Sequence, residues 1–600
     1  MIRPKTSYII YLLPALFYLT DFLIRWKFLS LIDSKGILNF SISIIFELAF
    51  YISIFFLISR TSYPKLLSIS FGLMIALLQL IVYSHYLYFG VLPNNYSLWF
   101  LANQFVNTIS LLLNSIELWH FIVLVFLTIF YGLIILKSVH KITNWKLRKG
   151  LVLIISSFVV ILFFNNNVKF YTQSYSVTPA TIFAIKYFTS ELFFGKSILG
   201  NSGFVQRKFD IEEKITIPPK YNVLILLSES LRKKNLHFYK YERGTTPFLD
   251  SLLKENKLIK FENHTSNAVS TQFSVPIMLS GIFSFKKVNT PYLQDFSKHW
   301  FGTTNFLISS QLMARNSIEK VYNTSFDTFI CQERSGLPIY NDMAFNDNEL
   351  LPLFKNELSK IKINKFFGII GFNNTHYPYT TSAMSNLEFN PSTLRSVNAY
   401  DNTILEQDEI IKKIFITLEQ NKLLDSTIVI FTSDHGEAFG EHNHSGHLKS
   451  LYEEEINIPL LIYTPTSFPK KLKERLMQNI YTNTSHLDIF PTVLEFLGNS
   501  DSIKLKYLQT GNSLLQPINK QRNIPMFVLD ISNSEGLIEG NFKYIETKDG
   551  SHISQELFNT KSDPKELNNL WKKLTQKVKS DWINKLEKIR IARLTIDNEN

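Results

Sequence analysis

A chain of 600 residues exceeds one ordinary domain of about 100 to 200 residues, so at least two units are expected. The 62 Lys and Arg against 50 Asp and Glu leave +12, yet residues 1–150 alone hold 12 basic and four acidic side chains. Two-thirds of the excess thus sits in the most apolar quarter, which excludes the basic stripe of a soluble nucleic-acid binder; 51 Phe exclude disorder, and the single Cys331 excludes a disulfide framework or a cysteine-based zinc cluster.

The apolar quarter contains five runs, Tyr8 to Ile24, Ile37 to Ile58, Leu66 to Gly90, Leu118 to Leu136 and Leu151 to Phe164. Four approach the roughly 17 to 25 residues that cross a hydrocarbon core as helix. The fifth is shorter, with Lys149 and Lys169 placed to snorkel from its flanks. Lys and Arg concentrate in 1–7, 60–65 and 137–149 and are absent from 91–117. By the positive-inside rule the N-terminus is cytoplasmic, and five spans put everything after residue 165 on the outer face. No small-residue cleavage pattern follows the first run, which is expected to stay as a signal anchor. Asp21, Glu47 and His85 fall in or near the runs and read as packing or interface positions rather than catalytic groups. The expected organisation is an anchor over 1–165, a linker over 166–220 and an extracytoplasmic catalytic domain over 221–600.

Beyond Pro218-Pro219, short apolar runs at Asn222 to Ser228, Phe366 to Phe372, Thr427 to Ser433, Ile458 to Thr464 and Met526 to Ile531 alternate with helix-like segments. Runs apolar without interruption suit parallel strands buried on both faces, which predicts an α/β doubly wound sheet. Ligands in such sheets bind beyond the carboxyl ends of the strands. Glu229 follows the first run, Asn373-Asn-Thr-His376 the second, and Asp434-His435-Gly436-Glu437 the third, with the glycine read as letting the backbone turn. His442, His444 and His447 come next. Carboxylate and imidazole without thiolate suit a catalytic zinc or manganese ion, and Glu229, Asp434, His435 and His447 are the candidate ligands. Thr265 to Gly281 is a hydroxyl-rich turn entering an apolar helix. Taken alone, Ser270 or Thr271 reads there as an ordinary N-cap; beside a metal, such a hydroxyl is a candidate nucleophile.

These residues resemble the alkaline phosphatase and sulfatase superfamily, and within it the phosphoethanolamine transferases that modify lipid A. The resemblance covers about 220–500 and the general plan of the anchor. It rests on Glu229-Ser-Leu-Arg232, Tyr241-Glu-Arg-Gly-Thr-Thr246-Pro-Phe-Leu249, Asn398-Ala-Tyr-Asp-Asn-Thr403 and Ser433-Asp-His-Gly-Glu437. The tail stretches His486 to Leu494 and Glu556 to Leu570 are similar to sulfatase C-terminal segments. By position Thr271 matches the family's nucleophilic threonine, His447 a further zinc or phosphate-binding histidine, and His376 another. The formylglycine motif of sulfatases is missing, since Ser274-Val-Pro276 runs into Ile277-Met278 and Cys331 lies in no such context. Residue 277 is Ile where the best-known lipid A enzymes carry a cysteine.

The resemblance implies a multi-pass protein of the bacterial inner membrane with its catalytic domain in the periplasm. There it would move phosphoethanolamine from phosphatidylethanolamine to lipid A or another envelope glycan through a phosphothreonine. Thr271, Glu229, Asp434, His435 and His447 would hold zinc, with manganese as the alternative, and Thr271, His376 and His447 would be catalytic. No nucleic-acid partner is expected. Two alternatives are a phosphoglycerol transferase using phosphatidylglycerol, like the lipoteichoic acid synthases, and a non-catalytic lipid-sensing member.

Overall fold

The computed structural model describes residues 9–24, 50–89, 118–142 and 218–599, apart from short gaps at 286–290, 314–317, 342–343, 362–364, 382–386, 393–395, 444, 499–510, 530–531 and 550–551. The chain divides into two compact units, residues 1–203 with 549–552, and residues 204–548 with 553–600.

In the first unit, helices cover Ile9–Ile24, Phe50–Ser59, Pro64–Phe89 and Leu118–Ile142. Tyr51, Phe55, Ile75, Tyr131 and Ile135 are buried between them. A Cβ on Gly72 would lie 2.8 Å from the Gly132 nitrogen, so the two long helices approach backbone to backbone where neither carries a side chain. Above that contact the Tyr131 hydroxyl donates to Gln79 Oε1 at 2.6 Å. Leu66, Ile69, Ile122, Phe126 and Ile129 face outward and are exposed. Among the described residues one helix, Pro64–Tyr83, is long and apolar enough to cross a membrane, while Phe50–Ser59 and Val125–His140 are shorter apolar stretches. The fifth run, Glu47 and most of the second run lie outside the described residues. Asp21 is buried.

The second unit is built on seven strands: β1 (Asn222–Ser228), β2 (Leu258–Lys260), β3 (Thr304–Ser309), β4 (Thr328–Ile330), β5 (Phe366–Gly371), β6 (Thr427–Ser433) and β7 (Leu460–Tyr463). Their order is β2-β7-β6-β1-β5-β3-β4. Odd and even residues of β1 separate two cores. Val223, Ile225 and Leu227 face one cluster that includes Met278 and Phe490, and Leu224 and Leu226 face another that includes Tyr400 and Ile411. Helices therefore cover both faces, which is why these strands read as unbroken apolar runs.

The sheet is mixed rather than wholly parallel. The run Ile458 to Thr464 supplies β7, which pairs antiparallel with both β6 and β2. An apolar run buried on two faces carries no mark of direction, so the sequence could not show this. The run Met526 to Ile531 contributes instead to a separate antiparallel sheet of four strands, Asn523–Val528, Ser534–Glu539, Phe542–Asp549 and His552–Asn559.

Candidate metal centre and nucleophile

Strand register builds the site. Ser228 pairs with Ser433 in parallel β1 and β6, so Glu229 and Asp434, the next residue of each strand, emerge side by side at the same edge. The turn is held by Ser230 N donating to Asp434 Oδ1 at 2.9 Å and Leu231 N donating to Ser433 Oγ at 2.8 Å. Gly436 follows the Asp-His pair for space, not for conformation. It lies outside the set of positive-φ glycines, and a Cβ there would sit 2.2 Å from the Glu454 carbonyl oxygen. The glycine expected from sequence to let the backbone turn instead admits the Glu454 carbonyl.

The Thr271–Ser280 helix aims its first residue at this edge. Ser270 at the N-cap makes no side-chain capping bond, so the ordinary capping role is not what this hydroxyl cluster does. Thr271 Oγ1 instead lies 3.0 Å from Glu229 Oε1, to which it donates, and 3.5 Å from His435 Nε2. His435 Nε2 is in turn 3.5 Å from Glu229 Oε1 and 3.4 Å from Asp434 Oδ2. Ligands about 2.0 to 2.1 Å from a tetrahedral zinc stand roughly 3.3 Å from one another, so these separations match the edges of such a cage. All four side chains are buried, and Glu229, Asp434 and His435 form a group able to hold a metal ion.

Two further observations fit a cation. Asp434 Oδ2, fully buried, has no hydrogen-bond partner. His435 Nδ1 is 2.9 Å from the Gly436 carbonyl, to which it can donate, which leaves Nε2 as the ligating nitrogen. The field agrees. Burial pushes the Glu229 carboxyl up, but the hydrogen bond and charge of His435, with His376 and His447, outweigh it and hold the group well below the usual carboxylate range. Burial and the Glu229 charge push Asp434 up to about 7. Burial opposes a charge on His435, but Asp434 and Glu229 raise it to about 10. Two buried carboxylates this close stabilise positive charge between them.

His447 stands beside the cage rather than in the three-residue group, its ring centroid 4.4 Å from that of His435 and 5.4 Å from that of His376. Its Nδ1 is 2.8 Å from Glu437 Oε2, while Glu437 Oε1 accepts from the Tyr379 hydroxyl at 3.0 Å. Burial pushes the His447 imidazole below its usual range, with Glu437 opposing. His376 Nδ1 is 2.9 Å from the Tyr377 carbonyl oxygen. His442 is turned elsewhere, stacked on Tyr452 at 3.8 Å and bonded to Glu454 at 2.8 Å, and His444 lies outside the described residues. Gln311 was missed from sequence: its Nε2 donates to Glu229 Oε2 at 2.7 Å. It follows β3, whose Thr304-Asn-Phe-Leu-Ile-Ser309 has only three consecutive apolar residues and gives little periodic signal.

The family model described as Sulfatase matches residues 221–499. The chain is 30% identical over 207 residues to Arylsulfatase K of Xenopus laevis, covering 32% of this chain and 36% of that protein. It is 29% identical over 273 residues to the Phosphoethanolamine transferase EptA of Helicobacter pylori, covering 42% of this chain and 49% of that protein. The matches thus span half or less of these relatives. Among solved structures, the integral membrane protein lipooligosaccharide phosphoethanolamine transferase A (EptA) from Neisseria meningitidis aligns with TM-score 0.52 and 20% identity, over 82% of this chain and 95% of that one. At that identity the likeness is one of fold. An alignment of that coverage is longer than residues 204–600 and takes in part of the first unit.

Proposed function

Residues 221–499 form a sulfatase-family domain, and from that premise we propose that the chain is a membrane-bound, metal-dependent phosphoethanolamine transferase. The observation that carries the reading is Thr271 Oγ1 at 3.0 Å from Glu229 Oε1 and 3.5 Å from His435 Nε2, a hydroxyl in the place of a nucleophile. The relatives include both arylsulfatases and a phosphoethanolamine transferase. The threonine, and the absence of a formylglycine sequence around it, favour the latter.

Glu229, Asp434, His435 and the Thr271 oxygen would hold a zinc-class ion, with His447 beside them. When bound, such an ion supplies positive charge that lowers the pKa of a coordinated hydroxyl and stabilises charge on phosphoryl oxygens. The Thr271 oxygen attacks the phosphorus of phosphatidylethanolamine, and the bond from phosphorus to the glycerol oxygen breaks. Diacylglycerol leaves with that electron pair and takes up a proton. The acceptor, a phosphate or hydroxyl of lipid A or another envelope glycan, then attacks the phosphothreonine, and Thr271 recovers its hydroxyl. His376 and His447 serve the proton transfers or hold the phosphoryl oxygens. Glu229 orients the nucleophile by accepting its hydrogen bond. The first unit, a multi-pass anchor with the catalytic domain in the periplasm, would keep the enzyme at the surface where both lipids lie, which raises their effective concentration.

Feeding cells phosphatidylethanolamine labelled in ethanolamine, and separately phosphatidylglycerol labelled in glycerol, tests the donor. Ethanolamine label in an envelope lipid or glycan, dependent on this protein, is the expected result. Glycerol label alone would transfer the reading to the phosphoglycerol transferases, and label from neither would remove it.

A further inference from the structure

The chemistry above leaves the stretch Asn398-Ala-Tyr-Asp-Asn-Thr403 without a role. It also leaves unexplained how Glu229 is presented by a strained backbone. Ser230, the next residue, lies at φ 56°, in the left-handed region that is unfavourable for a residue with a Cβ. Strained backbone of this kind persists where surrounding contacts over-determine it.

Those contacts come from four sides. Ser230 N donates to Asp434 Oδ1, Leu231 N to Ser433 Oγ, and Thr375 Oγ1 to the Glu229 carbonyl at 2.6 Å. These partners belong to neighbouring strand ends. The fourth comes from the helix Val397–Gln420, where the Tyr400 hydroxyl donates to the Ser230 carbonyl at 2.7 Å and accepts from Arg232 N at 2.9 Å. One hydroxyl thereby bridges the two peptide groups that flank Leu231. Tyr400 is fully buried, its ring between those of Tyr379 at 5.2 Å and Phe439 at 4.9 Å, so water does not compete for that hydroxyl. Asp401 continues the grip. Its Oδ1 accepts from Asn235 Nδ2 at 2.6 Å, and Asn235 Oδ1 accepts from Arg232 Nε at 2.5 Å.

We infer that Tyr400 is a positioning residue for the metal centre: its hydroxyl locks Ser230 in the left-handed conformation and so aims the Glu229 carboxylate at Thr271 and His435. The inference rests on the reading of Glu229 as a metal ligand. Tyr400→Phe keeps the ring packing and removes only the bridge. In the full-length, detergent-solubilised protein, zinc is titrated against a chelating indicator, and melting temperature and transfer kinetics are measured alongside.

Zinc should bind about 10- to 100-fold more weakly in Tyr400→Phe, the range for lost outer partners of metal ligands, with kcat lowered and KM unchanged. Adding Ser230→Gly to Tyr400→Phe should recover much of the affinity, because glycine enters the left-handed region without a Cβ penalty. A Tyr400→Phe protein that melts lower but binds zinc as the wild type does would make the tyrosine a packing residue and overturn the inference. A double variant no better than Tyr400→Phe alone would equally overturn the locking role. Wild-type protein that takes up no zinc would overturn this inference and the metal reading together, whereas the first two outcomes leave the metal reading standing.

Discussion

Thr271 and Glu229 are 42 residues apart in the chain, and the threonine hydroxyl donates to the carboxylate at 3.0 Å from the first residue of a helix. Neither group has the other as a local neighbour. They meet because one ends a central strand and the other opens the helix packed over that strand's end. Thr271→Ala should therefore lower transfer by roughly a thousandfold or more, the scale of losing a nucleophile. Thr271→Ser should keep measurable activity, and peptide mass spectrometry of the wild type should find phosphoethanolamine on Thr271 alone. Alanine protein that transfers at the wild-type rate would remove the assignment.

Metal removal should stop transfer, and zinc should restore it. Asp434→Asn, which weakens the unpartnered Oδ2 as a ligand, should lower bound zinc below one per chain by elemental analysis. It should also remove most of the rise in melting temperature on adding zinc, a rise worth about 2.7 kcal/mol at one hundred times the dissociation constant.

Gly436→Ala sets a methyl group 2.2 Å from the Glu454 carbonyl oxygen, and backbone cannot swing aside as a side chain would. Destabilisation of about 1 to 3 kcal/mol is expected, measured by thermal melting. Because the displaced segment carries Asp434 and His435, zinc affinity should fall too. Unchanged melting and zinc binding would contradict the stated packing.

Asp408 accepts from the Phe248 and Leu249 amides at 2.7 and 3.1 Å, yet burial, reinforced by Asp250 and Glu409, pushes it up to about 7. Its folded value lies above the unfolded one of about 3.9, so the folded state binds the extra proton. This contribution to stability is fully present below about pH 4 and is lost as pH rises through about 7. Asp408→Asn should flatten that part of the stability curve by at most about 1.4 kcal/mol per pH unit. Chemical denaturation across that window, with a slope identical in wild type and variant, would refute it.

Much of the site was legible because its residues sit at ends of strong strand signals. Asn222 to Ser228 and Thr427 to Ser433 are continuous apolar runs, and the residue after each is a carboxylate. His447 was legible as a candidate from the histidine-rich stretch after Asp434 and from the family resemblance, but the sequence could not show that Glu437 would hold its Nδ1. Gln311 was not legible, since an amide after a weak strand has no signature of its own. His442 lies in the same histidine-rich stretch as His447, and the fold turns it away by stacking on Tyr452 and bonding to Glu454.

By itself the sequence determined composition-level properties that need no partner across the fold: an apolar N-terminal quarter with asymmetric charge, strands buried on both faces, and a donor set of carboxylate and imidazole without thiolate. The tertiary structure decided direction and distance. It turned β7 antiparallel, set Ser228 against Ser433 so that Glu229 and Asp434 emerge together, and brought Tyr400 under the Ser230 turn from 170 residues away. Apolar burial is a property of each residue and survives in one dimension. Strand direction and register come from pairing between distant segments, and no single segment records its partner.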